Sequence, residues 1–167
     1  MTRYENSKKE VKMYNRILVP LDGSELAECV LPHVAAIAGG CGVQDVIFLR
    51  AVEPFHMPGV EASIYFSEKD RKRIDSENKA DAGKYLKDLV NRTKYDGVRV
   101  KYEVLMGRAA GNIADYATKN DVDLIVIATH GRSGASRWVW GSVADRVLRS
   151  ACVPVLMVRA PGCVPGI

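Results

Sequence analysis

The sequence predicts a doubly wound α/β fold, with helices on both faces of a mainly parallel five-stranded sheet. Two observations carry this. Short apolar runs alternate strictly with longer amphipathic stretches, in the order β-α-β-α-β-α-β-α-β. That alternation argues for a parallel sheet joined by right-handed crossovers. One run, Leu124 to Ala128 (LIVIA), is apolar without interruption, as expected of a strand covered on both faces. The arrangement is Rossmann-like, and such sheets take ligands beyond the carboxyl ends of their strands, where the winding reverses.

Arg16 to Leu21 (RILVPL) is the first strand, short and rich in branched residues. Ser24 to Ala38 carries Leu26, Val30, Val34 and Ile37 at helical spacing, and Pro32 inside it predicts a kink or a late helix start. Asp45 to Val52 is the second strand, followed by a loop holding Pro54, Pro58 and Gly59. Ser67 to Lys94 reads as one long helix. Its first half is mostly charged and projects into water, and its second half gathers Tyr85, Leu86, Leu89 and Val90 on one side. Arg99 to Met106 alternates as a half-buried strand, and Ala109 to Asn120 is a short helix. After the LIVIA strand, Gly141 to Ser150 is a helix expected to turn Val143, Val147 and Leu148 inward, and Pro154 to Arg159 is the last strand.

With 167 residues, 47% of them hydrophobic and 26% charged, the chain has the size and composition of a single globular domain. A net charge of +4 is too small to invite nucleic acid, and the basic residues of the long helix alternate with acids. No apolar run approaches the ~18 residues that span a bilayer, and Met1 to Met13 lacks the apolar centre of a secretory signal. The expectation is a cytoplasmic protein with neither nucleic-acid nor membrane partner. Cys29, Cys41, Cys152 and Cys163 form no C-x-x-C pair and have no histidine at metal-ligand spacing, so they read as reduced thiols. Cys29 and Cys152 fall within apolar patterns, and Cys163 lies in a Gly/Pro tail.

Two loops carry the candidate chemistry. In the first, Val19 to Glu25 (VPLDGSE), Pro20 stiffens the strand end and Asp22 precedes a helix. Asp22 reads either as a helix N-cap, with Glu25 completing a capping-box-like arrangement, or as a polar contact to a ligand. The second loop runs Thr129-His130-Gly131-Arg132-Ser133-Gly134 and reaches Gly141-Ser142-Val143 at the next helix. Its glycines let the backbone approach a ligand closely, and the free N–H groups of a helix start favour an anion. Ser142 offers a hydroxyl to such an anion, although Ser142 with Asp145 also fits an S-x-x-D capping pattern. Neither a P-loop nor a G-x-G-x-x-G fingerprint is present. Arg132 and Arg137 flank the glycines and read either as phosphate contacts or as ordinary exposed loop arginines. His130 has no acidic residue to orient it and reads as a loop residue. No catalytic residue and no metal ligand is assigned.

ILVPLDGS near the start, ATHGRSG and GSV near the end, and the closing PVLMVR together make the chain, from about Asn15 to Arg159, resemble the universal stress protein family. ATP-binding members of that family carry G-x₂-G-x₉-G-[ST]. Gly131, Gly141 and Ser142 match it, and Ala128 replaces the first glycine. The resemblance implies ATP as ligand, with Mg²⁺ held chiefly by phosphates and water. Asp22 would lie at the adenosine, Ala51 at the adenine, Ala128 at the ribose, and Gly131, Gly141, Ser142 and Val143 at the phosphates, with Pro20 also counted among the binding residues. It also implies a non-enzymatic stress or signalling role and a homodimer through the last strand, with Val155 to Val158 at the joint. The alternative is a dimeric interaction module of the same fold that binds no nucleotide. The implied organisation is a flexible tail over 1–13, a nucleotide-binding domain over 14–160 and a C-terminal tail over 161–167.

Overall fold

A computed structural model describes residues 13–56, 67–129 and 141–159. The strands are β1 (Arg16–Pro20), β2 (Asp45–Val52), β3 (Arg99–Met106), β4 (Leu124–Ala128) and β5 (Val155–Val158). All neighbours pair in parallel, in the order β3-β2-β1-β4-β5. The helices are α1 (Leu31–Gly40), α2 (Glu68–Arg92), α3 (Ala109–Lys119) and α4 (Ser142–Ser150). Val34 and Ala38 of α1 and Leu86 and Leu89 of α2 pack on one face of the sheet, against Ile17, Val19, Val46, Phe48 and Val126. Ile113 and Ala117 of α3 and Ala144 and Val147 of α4 pack on the other, against Leu18, Ile47, Leu49, Ile125 and Ile127. The chain therefore winds outward from β1 on one face and back on the other, and the expected doubly wound sheet is the one observed.

The first helix starts late. A 3-10 turn covers Ala27–Val30, and α1 begins at Leu31 with Pro32 in its opening positions, where the missing N–H costs nothing. The long helix is opened by a capping box between Ser67 and Asp70. In α4 the inward residues are Ala144 and Val147, whereas Val143 is 37% and Leu148 42% exposed. Cys152 is exposed in the turn before β5, contrary to its apolar setting in the sequence, while Cys29 and Cys41 are half-buried free thiols. Cys163 and the C-terminal tail lie outside the described residues.

β1 is the centre of the fold, and Ile17, Leu18 and Val19 are wholly buried. It pairs with β2 through Pro20↔Leu49, but with β4 only at Ile17↔Leu124 and Leu18↔Ile125. Pro20 explains the asymmetry. The Leu21 N–H donates to Leu49 O of β2 at 2.8 Å, and the Arg16 carbonyl accepts from Asp123 N on the β4 side at 2.9 Å. Backbone groups along a strand point alternately to its two neighbours, so position 20 faces β4. Proline has no N–H to place there, the ladder stops, and the two strands part at their carboxyl ends.

The opposite end of the sheet is held by charge. Arg16, Asp45 and Arg99 stand side by side across β1, β2 and β3. The Asp45 carboxylate, only 1% exposed, accepts two bonds from Arg99 (2.9 and 3.1 Å), and Lys101 and Arg16 approach it at 3.2 and 3.4 Å. The cationic side chains themselves screen it from water. The Arg99 guanidinium, followed by Lys101, holds its pKa at about 2 against an ordinary 3.8, with burial opposing. Arg16 also donates to the Asn120 carbonyl, and its own N–H is held by Asp123 at 2.8 Å. A carboxylate with a depressed folded pKa contributes stability above its unfolded pKa, and that contribution fades as pH falls through the folded value. Urea titrations of wild type and Asp45→Asn should therefore differ by about 2 kcal/mol at pH 7. The difference should shrink between pH 4 and pH 2, where about half of the Asp45 carboxylates are protonated; a gap of undiminished size at pH 2 would show that the charge is not its source.

Candidate functional site

Where β1 and β4 part, a cavity of about 260 Å³ opens among Pro20, Leu21, Asp22, Ala27, Leu49, Ala51, Ala109, Ile113, Ile127, Ala128, Thr129 and the start of α4 from Gly141 to Ala144. Seven of the eight residues expected at a ligand, Pro20, Asp22, Ala51, Ala128, Gly141, Ser142 and Val143, line this one space. Gly131 lies outside the described residues, as do Gly134, His130, Arg132 and Arg137. The walls are largely apolar and rich in alanine, which leaves room for a flat ring. Asp22 and the N-terminus of α4 both border the cavity, one as a carboxylate and the other as a cluster of backbone donors.

The Asp22 side is a tightly built turn. Asp22 Oδ1 accepts from Ser24 N at 2.9 Å and from Ser24 Oγ at 2.6 Å, and Ser24 Oγ accepts from Ala27 N at 3.2 Å. Gly23 sits at φ 85°, a conformation that side-chain-bearing residues rarely adopt. The expected N-cap role is therefore corrected. Asp22 closes an Asx turn instead, Leu26 makes no side-chain cap of the 3-10 turn, whose first N–H, at Ala27, is taken by Ser24 Oγ, and Glu25 forms no capping box among the described residues. The same carboxylate still borders the cavity.

On the opposite side, Gly141 is the N-cap of α4, and among the described residues no side chain caps the helix. The S-x-x-D pattern does not form a box either. Ser142 is the first helical residue, and Asp145 turns its carboxylate to Arg149 at 3.1 Å. Intrahelical bonding begins with Asp145 N donating to Gly141 O at 3.0 Å, so the N–H groups of Ser142, Val143 and Ala144 precede it. Thr129 pins this end. Its N–H donates to Val158 O and its carbonyl accepts from Gly141 N, both at 2.8 Å, so residues 129 and 141, the two ends of the glycine-lined loop, sit side by side. Gly141 has φ −54° and ψ 133°, which any residue can adopt. Its value is the room it leaves in the cavity.

Ala128 occupies an ordinary strand position, in register with Val158. Among the described residues only Asp121 is a non-glycine with positive φ, so alanine here carries no backbone strain and adds a methyl to the cavity wall. Thr129, Leu49, Ala109 and Ile113 were not expected from the sequence. Ala109 and Ile113 come from α3, which starts just after Gly107, at φ 126° and where a side chain would run into Asn112. The signal available was the small-residue start of a helix directly after a strand (MGRAAG).

The universal stress protein family model matches residues 13–159. The universal stress protein MJ0531 of Methanocaldococcus jannaschii is 33% identical over 150 residues, covering 89% of this chain and 84% of that protein. The solved structure of protein MJ0577, from the same organism, is 28% identical with a TM-score of 0.67, covering 90% of this chain and 99% of that one. An Arabidopsis thaliana universal stress protein with AMP bound shares the fold at 16% identity and a TM-score of 0.58, over 89% and 93% of the two chains. Further universal stress proteins of this fold are solved in complex with cAMP and, from Archaeoglobus fulgidus, with dAMP.

Because Ala128 fits its strand without strain, Ala128→Gly should gain nothing in backbone comfort. It should destabilise the protein by roughly 0.5–1 kcal/mol through added freedom of the unfolded chain. Denaturant midpoints measure this, and a stabilised glycine variant would show that alanine is strained after all.

Proposed function

Since the chain belongs to the universal stress protein family, we propose that it binds an adenine nucleotide, with ATP the first candidate, in the cleft between β1 and β4 and uses it in a stress-response or signalling role. One observation carries this reading. A single small-residue cavity places a carboxylate, Asp22, on one side and the uncapped N-terminus of α4, with Gly141, Ser142 and Val143, on the other. The base and ribose would lie toward Pro20, Asp22, Ala51 and Ala128. The phosphates would meet Ser142 Oγ and the leading N–H groups of α4, where the helix dipole favours negative charge. The AMP, dAMP and cAMP complexes of proteins with the same fold support the ligand class.

Mg²⁺ would reach this site with the nucleotide. Among the described residues no group of three or more His, Cys, Asp or Glu is placed to hold a metal, so phosphate oxygens and water would supply its ligands. We propose binding without turnover: among the described residues of the cleft the carboxylate is Asp22, whose Oδ1 is already taken by Ser24 N and Oγ.

Isothermal calorimetry tests the reading. Wild type should bind ATP, and Gly141→Val should abolish binding while leaving the circular dichroism spectrum intact, because a branched side chain would fill the space before the free N–H groups. Unchanged affinity would place the phosphates elsewhere.

We further propose a homodimer through β5. That strand ends the sheet and Leu156 is 37% exposed, which leaves an apolar edge of the kind that pairs with a copy of itself. Val158 belongs to the protomer's own core, and Val155 and Met157 are half-buried against α3 and α4, so Leu156 carries the joint. Light scattering at micromolar concentration should give twice the chain mass for wild type and the chain mass for Leu156→Asp. A monomeric wild type would exclude the dimer. No helix among the described residues is long and apolar enough to cross a membrane.

A further inference from the structure

We infer that Glu28 is a positioning residue that latches the Asp22 turn to α2, and through it sets the nucleoside side of the cleft. The inference rests on the adenine-nucleotide reading above. Glu28 lies in the 3-10 turn that follows the Asp22 loop, next to Ala27, itself a cavity residue. Both of its carboxylate oxygens are engaged by one helix: Tyr85 Oη donates to Oε1 at 2.9 Å, and Arg92 donates to Oε2 at 2.6 Å. A charge-assisted pair of bonds to a single helix fixes position as well as adding energy.

The path from latch to site is short and continuous, because Ser24 Oγ caps the start of the same turn at Ala27 N and also holds Asp22. Glu28 N donates to Glu25 O at 3.1 Å, Ala27 N is shared between Ser24 O and Ser24 Oγ at 3.2 Å, and Ser24 N and Oγ hold Asp22 Oδ1. Tyr85 is braced from the sheet side as well. The Arg50 guanidinium lies 5.5 Å from the centre of its ring, and Arg50 precedes Ala51, another cavity residue. Burial and the hydrogen bond to Glu28 raise the Tyr85 pKa, and the negative charge of Asp22 contributes in the same direction. The phenol therefore stays protonated and keeps donating, within the electrostatic reach of Asp22. Among the described residues, the α4 side of the cleft is held by the backbone bonds of Thr129 to Val158 and Gly141.

The latch should therefore act on one half of the ligand. Glu28→Ala should weaken adenosine and ATP by the same factor, about tenfold if the turn must be re-ordered on binding, and should leave inorganic tripolyphosphate affinity unchanged. Glu28→Gln, which keeps an acceptor for Tyr85, should recover part of the loss, and Tyr85→Phe should reproduce it without altering any charge. Amide hydrogen exchange in the ligand-free protein supplies a readout independent of nucleotide. Ser24 and Ala27 should exchange faster in Glu28→Ala and Tyr85→Phe, while β4 amides stay at the wild-type rate. Unchanged exchange at Ser24 and Ala27 in both variants overturns the latch, as does a loss of protection that spreads to β4 or a parallel loss of tripolyphosphate affinity. A wild-type protein that binds neither ATP nor adenosine would instead sink the nucleotide reading, and the exchange rates would still decide whether Glu28 holds the turn.

Discussion

A parallel ladder between β1 and β4 that stops after two register pairs shapes the rest of the molecule's upper end. Every strand to the left of β1 and every strand to its right depends on that central strand for its place, and its residues Ile17, Leu18 and Val19 have no exposure on either face. Such a strand must pair on both sides or leave buried polar groups unsatisfied. It does so at its start and then, at Pro20, offers β4 no donor. The strands part where the winding also reverses, so helices on opposite faces leave the gap uncovered. The ladder thus ends, for want of one N–H, at the position where the topology leaves space for a ligand.

The two ends of the sheet solve different problems. At the amino ends, a buried carboxylate lies in a row with arginines on both neighbouring strands, and a lysine closes over it. That arrangement binds β1, β2 and β3 where the chain needs cohesion, and the surrounding cations compensate much of the desolvation of Asp45. At the carboxyl ends, described polar groups are held by short local bonds such as the Asx turn at Asp22 and the Thr129–Gly141 contact. Small side chains there sacrifice burial for room. Stability and ligand access are therefore served at opposite edges of the same strands.

Helix α2 links these regions. Its second half covers the sheet through Leu86 and Leu89, while Tyr85 and Arg92 reach sideways to Glu28. Its first half, opened by the Ser67–Asp70 capping box, is solvated along most of its length and laced by pairs such as Glu68–Lys72 and Arg73–Glu77. Exposed pairs of this kind stabilise the helix only slightly. The structural weight of α2 therefore lies in its buried stripe and in its grip on the turn beside the cleft.

Alternation of apolar runs was enough to read the five strands, their parallel pairing and the two loops that border the cleft, because a strand buried on both faces must be apolar throughout and a crossover helix must be amphipathic. Local pattern was also enough for Gly141 and Ser142 to stand at a helix start. It could not say which side chains would cap. Asp22 and Ser142 both fit capping patterns, and the folded chain uses the first in an Asx turn and leaves the second as an uncapped first residue. Nor could it assign inwardness within α4, since Val143 and Leu148 are as apolar as Val147 and differ only in which neighbour reaches them. Cys152 is exposed for the same reason, because its apolar surroundings in sequence do not surround it in space. The contribution of Ala109 and Ile113 to the cavity, and the bonds from Tyr85 and Arg92 to Glu28, join residues that are 57 or more positions apart or that belong to separate crossovers. Pairings of that range are set by how helices of similar amphipathic pattern dock on a twisted sheet, and only the tertiary structure decides them.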